Sequence, residues 1–492
     1  MHYAFSGVFC MSFIGRKWEL DQIEEQYQRP KATFLIVYGR RRVGKTRLLM
    51  QWWQSRSTPT LYWVATQTTA ERLLASFSEA VYRHIHGQLP NHSVMYRSWE
   101  DALEELAKTI ETRTEKTTVI IDEFTYASGA DTSLPSVIQK VWDHRLQFLP
   151  IFLVISGSHV GMMERDVIAY RAPLYGRATG RLRLSPLPFK ELKGFFPKYD
   201  VVERVAVHAV LGGIPFYLEQ FDPELTVSEN IKRRVMGGIN LLQEEPRLLL
   251  HEQIQEPRQY INLLQAIANG NHALADIALE ANMERPSANK YLTTLTNLEI
   301  VGREIPATVR DPDKSRRGRY VINDSYLRFY FRFIHPRMSD ITAGMTTDVL
   351  ANIREHMTGF VGKYAFEELC RKWVQIAGGT GKLPFSIEVI GSHWSRSEEI
   401  DVVAVNWRSH DILFGECKWS PSEPINAEIV DKLFKQSQKV IPVTLKKQPF
   451  KVHYIFFSRA GFTADGLKQI KKINGITVDL AHFEEVLDMA VR

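Results

Sequence analysis

The sequence has only three cysteines in 492 residues, and Cys10, Cys370 and Cys417 lie far apart. Their separation excludes a disulfide framework or a thiolate zinc site and is typical of a reducing cytoplasm. No stretch approaches 18 consecutive apolar residues, and the first residues lack a basic segment followed by an apolar run. We therefore expect a cytoplasmic protein without a membrane partner.

The sequence also lacks a strong excess of either charge. With 62 Lys and Arg against 56 Asp and Glu, the formal net charge is +6. This balance is ordinary for such a length and by itself decides nothing about a polyanionic partner. Hydrophobic residues make up 44% of the chain, which is enough for several cores, and the length indicates about three domains.

Apolar, β-rich segments alternate with helical patterns in the first part of the chain. The predicted strands span residues 33–38, 61–65, 118–121 and 151–155. Such alternation predicts an α/β fold built on a parallel sheet. We place this first domain at residues 12–187.

The remaining sequence divides into three further segments. Residues 188–255 are mainly helical, interrupted by LGGIP at 211–215, where glycine and proline break the helix. Residues 256–335 contain three helical runs followed by two short apolar runs, an order typical of a winged helix. Residues 336–492 contain predicted strands at 386–390, 400–406, 412–418 and 452–457, which indicate a second, smaller α/β domain.

Residues 39–46, GRRRVGKT, match the pattern G-x-x-x-x-G-K-[ST] between a predicted strand and a predicted helix. In such a loop the backbone amides surround phosphate oxygens, Lys45 lies by the β and γ phosphates, and Thr46 binds magnesium. The motif therefore predicts ATP and Mg²⁺ as cofactors. The residues predicted to hold the nucleotide here are Gly39, Arg40, Arg41, Arg42, Val43, Gly44, Lys45, Thr46 and Arg47.

Two acidic residues, Asp122 and Glu123, follow the predicted strand 118–121. An aspartate in this position holds magnesium, and the glutamate activates water. The same pair can be a helix N-cap, but beside a complete phosphate loop we interpret it as catalytic. Ser158 follows the next strand, where its hydroxyl either senses the γ-phosphate or forms a polar turn.

These motifs resemble those of the archaeal-type P-loop ATPases of the STAND class, related to the AAA+ group, and the resemblance covers nearly the whole chain. It implies that Gly15 and Arg16 lie near the adenine and that Pro215 contacts nucleotide from a helical lid. It also implies that Arg177 is a transition-state cation. A structural role for Arg177 is the alternative, and action in trans would require a homo-oligomer.

The predicted winged helix carries polar and basic side chains suited to DNA. The predicted recognition helix contains Ser287, Asn289, Lys290 and Thr293. The wing is rich in cations, and both sets are consistent with phosphate contact. Relay of domain motion is the equal alternative, since a charge run is often a solvated face. The basic wing residues are Arg310, Lys314, Arg316, Arg317 and Arg319.

Carboxylates recur in the last domain. Asp401 begins one predicted strand, while Glu416 and Lys418 share one face of the next. Asp401 and Glu416 are hard oxygen ligands for magnesium, and Lys418 can orient or deprotonate water for phosphodiester cleavage. The arrangement resembles the PD-(D/E)XK nucleases, and this resemblance implies that Glu367 completes the site from an upstream helix.

One departure from the nuclease pattern is the sequence before Asp401, which contains Glu398 and Glu399 rather than a Pro-Asp pair. A catalytically inactive relic is therefore the alternative. We predict an ATP-hydrolysing protein that couples nucleotide state to DNA binding or cleavage by a magnesium-dependent C-terminal domain. The competing hypothesis is a non-nucleolytic STAND-type switch that binds DNA or protein.

Overall fold

The computed structural model describes residues 13–54, 56–88, 95–238, 240–253, 257–315, 317–441 and 449–489. Its described chain forms two compact units. The first runs to Leu187 and includes Ile214–Phe216, and the second contains Pro188–Gly213 and the chain from Tyr217 onward. Of the residues singled out above, Cys10 and Arg316 lie outside the described ranges. No helix within those ranges is both long enough and apolar enough to cross a membrane.

A five-stranded parallel sheet forms the centre of the first unit. Its strands are β1 Thr33–Tyr38, β2 Thr60–Val64, β3 Thr117–Asp122, β4 Ile151–Gly157 and β5 Gly180–Arg183. They lie side by side in the order β2-β3-β4-β1-β5, and every neighbouring pair is parallel. The predicted α/β class is confirmed, although the short edge strand β5 was not predicted.

Apolar side chains cover both faces of this sheet, as a parallel sheet requires. On one face the Trp63 ring packs edge-on against Phe77, with centroids 5.1 Å apart. On the other, Trp52 packs against Phe152 at 5.4 Å. The helices of this unit are α1 Lys17–Gln28, α2 Lys45–Gln54, α3 Ala70–His86, α4 Trp99–Glu111, α5 Phe124–Ala130, α6 Leu134–His144 and α7 Val160–Met162.

Short helices follow the first unit, as expected for residues 188–255. The best defined begins at a reciprocal capping pair between Asp200 and Glu203 and ends at Gly212, whose φ is 66°. These are strong start and stop signals. The helices are α8 Leu192–Phe195, α9 Val201–Leu211, α10 Pro215–Leu218, α11 Val227–Asn230 and α12 Leu241–Gln253.

Three helices and an antiparallel hairpin come next, in the order that was predicted. They are α13 Pro257–Ala268, α14 Leu274–Glu280, α15 Arg285–Asn297, β6 Val301–Glu304 and β7 Arg319–Ile322. Helices α16 Ser325–Phe329, α17 Met338–Thr342 and α18 Thr346–Val361 lead from the hairpin to the last segment.

The C-terminal segment is built on a separate mixed sheet. Its elements are α19 Glu367–Gly379, β8 Val389–Trp394, β9 Glu399–Asn406, β10 Asp411–Lys418, α20 Ala427–Val440, β11 Lys451–Ser458, α21 Ala464–Lys472, β12 Ile476–Val478 and α22 Leu480–Leu487. Strand β9 pairs antiparallel with both β8 and β10, whereas β10, β11 and β12 are parallel. Phe414 and Phe456 are fully buried in its core.

Candidate functional sites

The loop between β1 and α2 is shaped by two glycines. A Cβ on Gly39 would lie 2.3 Å from the carbonyl oxygen of Leu184, so only glycine fits there. Gly44 has a φ of 95°, a left-handed value that favours glycine. Arg42 also has a left-handed φ, 69°. The loop therefore curls tightly, as a phosphate-binding loop must.

Lys45 is buried inside this loop, with 5% of its surface exposed. Its Nζ donates to the carbonyl oxygens of Gly39 at 2.9 Å and Arg40 at 3.2 Å. Burial lowers the pKa of Lys45, while Glu123 and Asp122 act in the opposite direction. The ammonium group is thus held by backbone carbonyls of the loop. None of its described contacts is a hydrogen bond to a carboxylate.

Asp122, at the end of β3, is the centre of the hydrogen-bond network. Its Oδ2 accepts from the hydroxyls of Thr46 at 2.7 Å and Tyr62 at 3.0 Å. Its Oδ1 accepts from Ser156 Oγ at 2.6 Å and from the Glu123 amide at 3.0 Å. Burial and the neighbouring Asp122 raise the pKa of Tyr62. The carboxylate is fully buried yet satisfied on both oxygens.

Glu123 adopts a left-handed φ of 53° at the start of α5. Its side chain makes no N-capping bond, so the capping interpretation fails for this residue. One carboxylate oxygen accepts from the hydroxyl of Ser158, while the buried Oε2 has no hydrogen-bond partner in the described structure. Non-glycine residues in this backbone region are uncommon and often functional.

The remaining loop residues are placed as follows. Val43 is fully buried, whereas Arg47 lies on the exposed side of α2. The guanidinium of Arg41 donates to the Tyr126 hydroxyl at 3.4 Å. Arg40 contributes the carbonyl that accepts from Lys45.

Residues 214–216 return the chain to this loop. The side chain of Pro215 lies 3.9 Å from the position of a Cβ on Gly44. The guanidinium of Arg42 lies over the ring of Phe216, 4.2 Å from its centroid. Pro215, singled out by its resemblance to a lid motif, is therefore next to the phosphate loop.

Arg16 supports the loop from the preceding segment. Its guanidinium donates to Glu19 at 2.6 Å, to the carbonyl of Val43 at 3.1 Å and to that of Ser185 at 2.7 Å. Arg16 and Gly15 have left-handed φ values of 64° and 71°. With its donors directed at protein atoms, Arg16 braces the loop in this structure.

Arg177 lies away from the loop. It precedes β5, whose first residue Gly180 is paired with Leu35 near the amino end of β1, whereas the loop follows the carboxyl end. Its guanidinium donates to Asp143 at 2.9 and 3.2 Å. Arg177 therefore lies toward the amino ends of the strands, whereas its own phosphate loop lies at their carboxyl ends.

The carboxylates of the second unit meet where β9 and β10 lie side by side. Asp401 Oδ2 accepts from the amide of Cys417 at 2.9 Å, which places Asp401 opposite Glu416. Arg371 Nη1 donates to the Asp401 carbonyl at 3.0 Å and lies 3.7 Å from Glu367. Burial, together with Asp401, raises the pKa of Glu416 to about 8. The same two causes raise the pKa of Glu367.

Lysines surround this carboxylate cluster, defined as Glu367, Asp401 and Glu416. Lys418 Nζ lies 2.8 Å from Glu423, which is 67% exposed. Burial also raises the pKa of Asp401, and the positive charge of Lys432, on α20, partly offsets the rise for both Asp401 and Glu416. Sequence reasoning missed this lysine. Within the described ranges, no group of three or more His, Cys, Asp or Glu has an arrangement suited to a metal ion.

The expected DNA-facing residues are largely exposed. On α15, Ala288, Leu292 and Leu295 are buried. The wing residues Arg310, Lys314 and Arg317 are also exposed, and Lys314 pairs with Asp311, whereas Arg319 is half-buried and lies 2.8 Å from Glu399. The four residues predicted for recognition, Ser287, Asn289, Lys290 and Thr293, are all exposed on α15.

Two family models match this chain. One, described as an ATPase domain predominantly from Archaea, covers residues 13–221. The other, described as archaeal and bacterial proteins of unknown function, covers residues 330–430. An uncharacterised protein of Methanocaldococcus jannaschii is 32% identical over 409 residues, which is 83% of this chain and 87% of that protein.

Solved structures with a similar fold include a Walker-type ATPase of Pyrococcus abyssi. It is 22% identical, with a TM-score of 0.48 over 65% of this chain and 96% of that chain. The ORC2 protein of Aeropyrum pernix, solved with ADPNP and ADP, is 14% identical, with a TM-score of 0.42 over 67% and 94% of the two chains.

Proposed function

Because this chain belongs to the family of ATPases found predominantly in Archaea, we propose that it hydrolyses ATP and couples its nucleotide state to DNA. In this proposal the C-terminal segment cleaves or binds DNA with magnesium. The observation that carries the ATPase part is the buried carboxylate of Asp122, which joins the Thr46 hydroxyl at 2.7 Å and precedes Glu123.

The residues of the loop fit magnesium and ATP. Magnesium-bound ATP supplies the phosphoryl group that is transferred to water. Thr46 and Asp122 provide adjacent oxygen donors for the ion, as this ion prefers. Lys45 provides the positive charge at the loop, and the loop amides bind phosphate oxygens. Glu123, with an unpaired buried oxygen, accepts the proton of the attacking water.

The ATPase is tested by replacing Lys45 with Ala and measuring ATP binding by calorimetry and phosphate release with Mg²⁺. Loss of the charge at the loop should weaken ATP binding and abolish turnover. Gln51→Ala, at an exposed position of helix α2 that is not among the predicted nucleotide-binding residues, is the control. Hydrolysis at the wild-type rate by Lys45→Ala would exclude the phosphate-loop mechanism.

The carboxylate cluster is proposed to cleave DNA with magnesium held by two of its members, Asp401 and Glu416. The carboxylate groups of Asp401 and Glu416 are adjacent and repel each other, and a divalent cation would offset this repulsion. Lys418, two residues after Glu416 on one face of β10, orients or deprotonates the water. Glu367 contributes the third carboxylate from α19. The order helix, three antiparallel strands, helix and parallel strand agrees with the nuclease-like interpretation.

The three-helix and hairpin segment is proposed to be a winged helix. Its exposed α15 residues and basic wing suit phosphate contact. The competing function is a switch without nuclease activity. Pairing of Lys418 with Glu423 favours that second candidate, since it directs the lysine toward an exposed acid.

The decisive experiment measures cleavage of single-stranded, duplex and branched DNA with Mg²⁺, with and without ATP. The variants are Asp401→Ala, Lys418→Ala and Lys45→Ala. An ATP-gated nuclease requires cleavage that is lost in Asp401→Ala and altered in Lys45→Ala. Binding of every substrate without cleavage would replace the nuclease with the switch.

A further inference from the structure

A large cavity lies within the second unit, between β7, α18 and the end of β8. Its volume is about 1150 Å³. A second, smaller cavity of about 290 Å³ is lined by Glu367 and Arg371 among others. The two cavities share His272, Arg319, Lys363, Tyr364, Trp394 and Glu399. Because they share these six lining residues, the two cavities adjoin, and we call them together the hairpin groove. The larger cavity is its wide part, and the smaller cavity, which Glu367 of the carboxylate cluster lines, is its narrow part.

The wide part of the hairpin groove is basic. Its acidic residues are only Asp276 and Glu399, against five Arg and Lys side chains. Four of these cations are exposed to solvent, and one of them, Arg332, makes a long hydrogen bond of 3.4 Å to Asn269. The excess of cations favours a ligand with several negative charges. The five basic residues are Arg317, Arg319, Arg332, Lys363 and Arg396.

Arg319 lies where the two cavities join. Its guanidinium is 4.8 Å from the ring centroid of Trp394, and its Nη1 is 2.8 Å from Glu399. The Glu399 side chain is 56% exposed, so its carboxylate can leave and a phosphate can take its place on Arg319. Trp394, Tyr364 and Phe360 line the same groove. Basic grooves with aromatic side chains are typical of sites for single nucleic-acid strands.

The dimensions of the groove favour a chain over a compact anion. The wide part alone exceeds the usual range of small-molecule pockets, about 300–1000 Å³, and the narrow part is lined by an acid of the cluster. We propose that the hairpin groove binds a single strand of DNA and guides it to the Glu367 side of the carboxylate cluster. The choice of DNA rests on the proposed function; the anionic strand follows from the groove.

The test measures binding of fluorescein-labelled oligodeoxythymidine in EDTA, where no metal-dependent cleavage occurs. The full chain is compared with the double variant Arg332→Glu and Arg396→Glu, both at the mouth and outside the carboxylate cluster. The matched control reverses Lys468 and Lys472, two exposed lysines on α21. Thermal unfolding of all three proteins checks that each is folded.

Groove reversal should weaken binding at least about 10-fold and reduce the salt dependence by about 1.4, since each contact to a single strand contributes about 0.7 to the slope. The Lys468 and Lys472 variant should bind as the wild type does. If the two double variants bind equally well, the proposed binding in the groove is wrong. If the groove binds duplex DNA more tightly than the oligonucleotide, the proposal of a single strand is wrong. Asp401→Ala should still bind the oligonucleotide. If the protein binds through the groove but cleaves no DNA, only the proposed nuclease is refuted.

Discussion

At the scale of single residues, Asp122 joins three strands and the phosphate loop through one carboxylate. It receives hydroxyl hydrogen bonds from Tyr62 on β2, Ser156 on β4 and Thr46 on α2. Each donor loses its partner if the carboxylate moves, and an unsatisfied buried polar group costs about 1–3 kcal/mol. The aspartate therefore has a structural role in addition to the proposed binding of magnesium.

Glu123→Gln should bind ATP as tightly as the wild type but hydrolyse it about 100-fold or more slowly, because an amide cannot accept the proton of water. Calorimetry gives the binding constant, and phosphate release gives the rate. Glu115→Gln, the same change at an exposed glutamate outside the site, is the control and should retain the wild-type activity. Unchanged turnover in Glu123→Gln would remove Glu123 from catalysis.

Sequence reasoning singled out the loop and both acids because each of these two motifs is a continuous stretch of the chain, residues 39–46 and residues 122–123. Tyr62 was missed because it reaches Asp122 through the pairing of β2 with β3, which places Val64 beside Asp122. The partner of Arg177 was missed for a similar reason, since Asp143 lies on α6. Contacts between elements depend on strand order, which local patterns do not contain.

At the scale of elements, β1, β3 and β4 were predictable because each is a run of almost entirely buried, mainly β-branched and aliphatic residues. β5 and β12 are four and three residues long, and the β5 sequence GRLR alternates in exposure at a sheet edge. Such short strands carry too few apolar residues to give a pattern. Their pairing with a longer neighbour defines them.

The adjacency of β9 and β10 predicts a pH dependence. The pKa of Glu416 is raised to about 8 in the folded protein from an ordinary value of 4.5, so folding favours its protonated form. Its contribution to stability is complete below about pH 4.5 and is lost as the pH rises toward 8. Glu416→Gln should flatten this loss, as measured by urea denaturation in EDTA between pH 5 and 9.

The control for that experiment is Glu423→Gln, an exposed acid on the neighbouring loop, which should leave the pH dependence in place. With Mg²⁺ added, the wild type should gain stability at pH 8 and Glu416→Gln should gain less. An identical pH profile for Glu416→Gln and the wild type would contradict the raised pKa of Glu416 that burial and Asp401 cause.

A second feature at this scale is the contact between α9 and the last helix, α22. Arg204, 4% exposed, donates to Glu484, and Lys193 Nζ lies 2.8 Å from the same carboxylate. The rings of Phe189 and Phe483 lie 6.5 Å apart beside them. The helical segment after the ATPase sheet is thus packed directly against the C-terminal end of the chain.

Arg204→Met should destabilise the second unit by about 1–3 kcal/mol, because Glu484 loses a buried charged partner. Urea denaturation measures the change, and Lys232→Met, an exposed lysine of the same segment, is the control. If Glu484→Gln has no further effect in the Arg204→Met background, the two residues act as a pair. Additive effects would contradict the pairing.

At the scale of the whole molecule, Arg177 can serve as a transition-state cation only for a second chain. Arg177→Ala should then lower ATP turnover by about 1000-fold, and mixing it with Lys45→Ala should restore activity. In mixed assemblies, an intact loop from one variant meets Arg177 of the other. Phosphate release at increasing protein concentration measures the recovery.

The matched control mixes Lys45→Ala with Glu123→Gln. Neither chain then has both Lys45 and Glu123, so the mixture should show no recovery. Absence of recovery in both mixtures, with turnover proportional to protein concentration in the wild type, would assign Arg177 to structure through Asp143.

The brief return of Ile214–Phe216 to the first unit limits how this protein can be divided in evolution. A recombination event at residue 187 would transfer the phosphate loop without Pro215 and Phe216, the side chains that lie against it. The new host would need to supply an equivalent segment. Recombination that transfers the ATPase unit is therefore expected to move the chain from Phe13 through Phe216 as one piece. Residues 188–213 are then inherited together with the loop.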